Sequence, residues 1–160
     1  MAAEKTPSAF GKLSERLKQA GIQFSVLNHA PVYTSEEAAA VRGTPLCSGA
    51  KALILNLDGK IALFVLPADR KLDSKKLRSA TSTRSLRFAT ADEILTLTGL
   101  RPGSIPPFGS LFGLPTFCDP ALAENATINF NAGEHSISIS IAYSDYVRAE
   151  SPQMLEFCTA

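Results

Sequence analysis

The clearest signal along the chain is a change in hydrophobic period. Phe10, Leu13, Leu17 and Ala20 recur at helical spacing, with Thr6–Pro7 reading as an N-cap followed by proline at the first helical position and Gly21 as the stop. "IQFSVL" then reads as a short strand. "TSEEAAAV" opens with Thr34 and Glu37 in capping-box spacing, which predicts a helix. "KALILNLDGKIALFVLP" holds two apolar runs joined by Asp58-Gly59, a hairpin signal; being apolar on both faces, the pair belongs centrally in a covered sheet.

Asp73 caps a short helix over "SKKLRSA", and Thr90 with Glu93 caps another over "ADEILTLT", closed by Gly99. "ATINF" and "HSISISIAY" form a second hairpin around "NAGE", and "YSDYVRAE" reads as a C-terminal helix. Strands and helices mix without strict alternation. The expectation is an α/β (α+β) fold over residues 1–160 as one domain, with a mixed, mostly antiparallel central sheet and helices packed around it.

Between the last two groups lies "GLRPGSIPPFGSLFGLP", residues 99–115, with four of the ten glycines and four of the ten prolines. Such a stretch reads as a loop, yet it is apolar, stiff and longer than a turn requires.

Composition narrows the class. With 160 residues, 45% hydrophobic and 19% charged, the chain can bury its own core. A net charge of +1 gives no broad field of the kind that draws a protein to DNA. Three cysteines, Cys47, Cys118 and Cys158, form no C-x-x-C pair and suit a reducing compartment. The absence of a signal-like start or a membrane-length apolar run points to a cytoplasmic protein without a membrane partner.

The familiar catalytic motifs are missing: there is no P-loop, G-x-G-x-x-G, H-E-x-x-H or G-x-S-x-G. Two histidines cannot build a multi-histidine metal site, and neither metal nor cofactor is expected. Cys47 lacks a local base and reads as a small residue near the core. His135 shares parity with Ile137, Ile139 and Ile141, so it faces the apolar side of its strand, either as a half-buried hydrogen-bonded residue or as part of a site. Lys51 shares parity with Leu53 and Leu55, either snorkelling at a strand end or serving as a binding cation. Between Arg70 and Arg87 lie seven of the sixteen basic residues, a solvated face or a phosphate-contacting patch.

Four segments in order and register, "HAPVYTSEEAA", "GAKALIL", "GSIPPFG" and "INFNAGEHSISI", resemble the YbaK/prolyl-tRNA synthetase-associated domain family, from about Ala20 to Arg148. The resemblance implies an aminoacyl-tRNA deacylase that hydrolyses mischarged tRNA in trans, with alanyl-tRNA(Pro) as the expected substrate, tRNA carrying cysteine, serine or threonine as the alternative, and prolyl-tRNA synthetase as a partner. It places the family's lysine on Lys51, its G-x-x-x-P motif on Gly103 to Pro107, and the histidine of its alanine-removing branch on His135. The cysteine-removing branch lacks that histidine. Lys51 would hold a phosphate or the ester region, and His135 and Asn131 would orient the aminoacyl group or water. His29, Tyr33, Thr34 and Gly133 fall in the matching pocket segments, and Lys75, Lys76 and Arg78 would meet tRNA phosphates.

This reading gives the long loop a job. Ester hydrolysis builds charge on the carbonyl oxygen, and preorganised backbone N–H groups stabilise it. Gly103 would let the backbone approach the ligand, and Pro106 and Pro107 would stiffen the wall. Against it stand a non-catalytic tRNA- or synthetase-binding module and a small-molecule-binding regulator. Lys51, Gly103 and His135 together favour the enzyme.

Overall fold

The computed structural model describes residues 8–160. Helix α1 (Ala9–Gln19) is capped by the Ser8 hydroxyl, which accepts from Gly11 N at 3.0 Å. The Thr6–Pro7 cap lies outside the described residues. The remaining α-helices and strands among the described residues are β1 (Ser25–Asn28), α2 (Ser35–Arg42), β2 (Ala50–Leu57), β3 (Lys60–Pro67), α3 (Ser74–Thr81), β4 (Leu86–Phe88), α4 (Ala91–Thr98), β5 (Thr116–Cys118), β6 (Thr127–Asn131), β7 (Ile137–Ala142), α5 (Tyr143–Glu150) and β8 (Gln153–Met154).

The caps match the sequence chemistry. Thr34, Asp73 and Thr90 each accept the backbone N–H three residues on, and Glu93 completes a reciprocal box with Thr90. Asp58 and Gly59 both take positive φ, 52° and 89°, the conformation a two-residue hairpin turn requires.

The strands divide into two sheets, one ordered β4-β2-β3-β5-β8 and one β1-β7-β6. Pairing is antiparallel except where β5 joins β3 and β8 joins β5. A single parallel bridge, Gly49 to Asn129, links the sheets. The hairpin β2–β3 lies inside the larger sheet, as its two-sided apolar pattern required.

Its two faces serve two cores. Ala50 and Ile54 join Phe108, Phe130, Ile139 and Tyr146 in the larger one, between the sheets. Leu55 and Leu57 join Leu77 of α3 and Phe157 in the smaller one. Asp119 closes the smaller core: its carboxylate accepts from Ala121 N, Phe157 N and Cys158 N at 2.9, 2.7 and 3.0 Å, fastening the C-terminal segment.

One asymmetry creates the site. β3 covers β2 along its whole length, but β4 pairs only with Leu55–Leu57. The other edge of β2 is therefore open toward its start.

Candidate active site

A cavity of about 500 Å³ runs along that open edge. Its lining includes Ala50 to Leu53 of β2, Tyr33 to Glu36 and Arg42 around α2, and Asn131 of β6. Gly103 and Ile105 supply a wall from the long loop, and Asp69, Arg70 and Lys71 also line the cavity. The volume falls within the range of small-ligand sites.

Lys51 lies in the lining, exposed and free of any carboxylate partner among the described residues. Tyr33 is 71% exposed and leans on His135, with ring centroids 4.8 Å apart. Thr34 lines the cavity while its hydroxyl caps α2.

His135 sits differently from the alternation pattern. β7 begins only at Ile137, so a turn rather than strand parity aims the ring. Backbone bonds from His29 N to Ser136 O and from Val32 N to His135 O hold that turn against the segment before α2. The half-buried imidazole bonds the Pro102 carbonyl through Nε2 at 3.1 Å. That carbonyl only accepts, so Nε2 carries a proton.

Gly103 lines the cavity, and its backbone conformation by itself calls for glycine. Its φ is +88°, and an added Cβ would lie 3.4 Å from His135 Nε2. The positive φ is what calls for glycine. The N–H groups of Gly103 and Ile105 have no acceptor among the described residues. Two lining residues thus present unpaired backbone donors.

The rest of the loop is structural. Pro106 and Pro107 are buried, and the Pro107 carbonyl accepts from Tyr146 OH at 2.8 Å in the larger core. Pro107 stands behind the wall and does not line it. Gly133 also stays outside. Its φ is +92°, an added Cβ would meet Ala9 at 3.1 Å, and its N–H donates to Ser104 O.

A polar chain supports the site from behind. Asn131 Nδ2 donates to Gly103 O at 2.7 Å, and its Oδ1 accepts from Arg42 Nη2 at 2.9 Å. Arg42 Nε donates to Ser138 Oγ at 2.8 Å, and that hydroxyl meets His29 Nε2 at 2.8 Å. His29 Nδ1 faces Ala30 O at 2.8 Å. In the neutral ring Nδ1 therefore carries the proton, and Nε2 accepts from Ser138. His29 is a support of Arg42 and not part of the lining.

The sequence reading missed Arg42 and Ser138. An arginine in the last helical turn reads as a dipole-matched surface residue, and Ser138 sits on the polar side of an alternating strand. Here α2 and the segment before it cover that side. Burial lowers the Arg42 pKa to about 10, which leaves it charged at neutral pH.

The basic run is not one stripe. Arg87 is held by Glu93 at 2.6 Å, and Arg70 reaches the cavity while bonding Thr159 O. On α3, Lys75, Lys76 and Arg78 are all exposed, and Lys76 Nζ also donates to Cys158 O at 3.2 Å. The cysteines are quiet: Cys47 donates to Asn125 Oδ1, and burial pushes Cys118 up to about 12 and Cys158 up to about 11.

The frame is that of trans-editing domains. A crystal structure described as a candidate trans-editing enzyme for prolyl tRNA synthetase matches with a TM-score of 0.84, over 98% of this chain and 100% of its own, at 21% identity. Residues 29–149 match the aminoacyl-tRNA editing domain, and the chain belongs to that family. It is an aminoacyl-tRNA hydrolase by that membership.

The multifunctional Ser/Thr-tRNA deacylase ProXp-y of Escherichia coli K12 is 34% identical over 151 residues, 91% of this chain and 90% of its own. A proline–tRNA ligase of Bacillus licheniformis is 30% identical over 106 residues, 66% of this chain and 18% of the ligase. Among the described residues no helix is long and apolar enough to cross a membrane.

Proposed function

We propose that the chain hydrolyses, in trans, the ester joining serine or threonine to a mischarged tRNA. The observation that supports this is a cavity whose lining holds Lys51 together with Gly103 and Ile105, two residues whose N–H groups have no acceptor among the described residues. In this reading water attacks the ester carbonyl, charge develops on its oxygen, and the two N–H groups receive that charge. The ribose oxygen then leaves, taking a proton. Lys51 draws in the anionic end of the substrate, and Asn131 fixes the wall.

Substrate hydroxyls favour this choice. Ser35, Glu36 and Asn131 offer polar partners in the lining, and the Escherichia coli relative is named for Ser/Thr-tRNA. Such partners discriminate more sharply than a methylene, which is worth only about 1–3 kcal/mol in a hydrophobic pocket. Alanyl-tRNA(Pro) is the second reading, favoured by His135 bonding Pro102 and packing on Tyr33 beside Gly103. On this view exposed Lys75 and Arg78 meet tRNA phosphates, and proline tRNA is the first acceptor to test.

The test is a deacylation screen with the purified protein against tRNA(Pro) charged with Ala, Cys, Ser, Thr and Pro. Rapid release of serine or threonine with prolyl-tRNA spared is the expected result. Efficient prolyl-tRNA hydrolysis, or no release from any of them, overturns it.

A further inference from the structure

The guanidinium of Arg42 has a satisfied edge and a free one. Nε and Nη2, which share one edge of the planar group, donate to Ser138 Oγ and Asn131 Oδ1, both neutral acceptors. Nη1 has no acceptor among the described residues, and it lies beside Gly49, where an added Cβ would sit 3.8 Å from it. The Nη1–Nη2 edge is therefore open, and both Arg42 and Gly49 line the cavity. Two parallel N–H groups at that edge match two oxygens of one phosphate.

The charge is also unbalanced. No carboxylate lies within ion-pair distance of Arg42 among the described residues. Glu36 and Asp69 are the acidic groups in the lining, against Arg42, Lys51, Arg70 and Lys71. A desolvated cation without a counter-ion is costly, and a bound anion offsets that cost. Lowered basicity of the group, caused by burial, agrees with a charge that lacks its partner.

We infer that Arg42 is a phosphate-binding residue of the cavity, its Nη1–Nη2 edge gripping a phosphate of the tRNA 3′ end. The inference rests on the editing reading for the source of that phosphate. The His29–Ser138–Arg42 chain then has a purpose: it presents a rigid fork, where Lys51 supplies a flexible charge. A phosphate held there lies next to Asn131 and hence to the Gly103 wall.

The probes are adenosine 5′-monophosphate and adenosine, titrated by NMR into the parent, Arg42→Gln and Arg42→Lys proteins. The parent should bind the monophosphate at least tenfold more tightly than adenosine. Arg42→Gln should lose most of that ratio while keeping its adenosine affinity, and Arg42→Lys should keep an intermediate ratio. An equal ratio in a folded Arg42→Gln protein overturns the inference, as does a parent that does not discriminate the two probes. A Gln variant that loses adenosine binding equally assigns Arg42 a merely structural role and also overturns it. Parent deacylation of seryl-tRNA is measured beside these titrations, so failure of the editing reading is seen separately.

Discussion

Asn131 donates its side-chain amide to the Gly103 carbonyl at 2.7 Å, joining strand β6 to the loop that walls the cavity. Because Arg42 holds the other end of the same amide, the orientation of Asn131 is determined at both atoms. Asn131→Asp keeps the Gly103 side of the contact from forming, since a carboxylate cannot donate to a carbonyl. Turnover of a cleaved aminoacyl-tRNA should fall on the order of 100-fold, the cost of roughly 1 Å of misplacement. Single-turnover rates at saturating enzyme check this; an unchanged rate detaches the loop from catalysis.

Gly103→Ala probes backbone conformation rather than space. At φ +88° an alanine is strained, although its Cβ would meet His135 only at ordinary contact distance. The variant should lose about 1–2 kcal/mol of stability, the left-handed penalty for a residue with a Cβ, together with activity. Chemical denaturation and deacylation are read side by side. A protein with parent stability and parent rate shows that the glycine is dispensable.

The three basic positions on α3 should separate. Lys75→Ala and Arg78→Ala should each lower the log–log salt slope of tRNA binding by about one unit or less, without changing stability. Lys76→Ala should instead loosen the C-terminal segment, because its amine bonds the Cys158 carbonyl. Binding titrations across salt, paired with melting curves, distinguish the two behaviours. Equal slopes in the parent and the Lys75 and Arg78 variants make this face a solvated one.

Asp119 sets an acid limit on stability. Burial alone raises its pKa, but the bonds from Ala121, Phe157 and Cys158 outweigh burial and lower it. A depressed folded value means the stabilisation is complete above the unfolded carboxylate range and is lost as pH falls from there through the lower folded value. Asp119→Ala should cost at least about 2 kcal/mol near neutral pH, since buried N–H donors lose their acceptor. The gap from the parent should narrow below about pH 4. A gap independent of pH contradicts the assignment.

The legible parts of this protein were those where local chemistry and tertiary context agree. Thr34, Asp73 and Thr90 cap helices because their hydroxyl or carboxylate reaches a nearby N–H, and Asp58-Gly59 turns because both residues tolerate positive φ. The division into two sheets was not legible, since it depends on which strands pair across long stretches of sequence, such as β1 with β7 and β3 with β5. Lys51, Tyr33, Thr34, Gly103 and Asn131 do gather in one lining. Arg42 escaped because its partners, Ser138 and Asn131, lie some ninety residues away and only the fold brings them together.

The central claim is that the Lys51 cavity hydrolyses aminoacyl esters. Its most direct test is single-turnover deacylation of seryl-tRNA by the parent and by Lys51→Ala, with circular dichroism verifying the fold of both. The parent should clear the ester well above the spontaneous rate, and the folded variant should be slower by at least tenfold. A folded Lys51→Ala protein that matches the parent, or a parent no faster than buffer, contradicts the account.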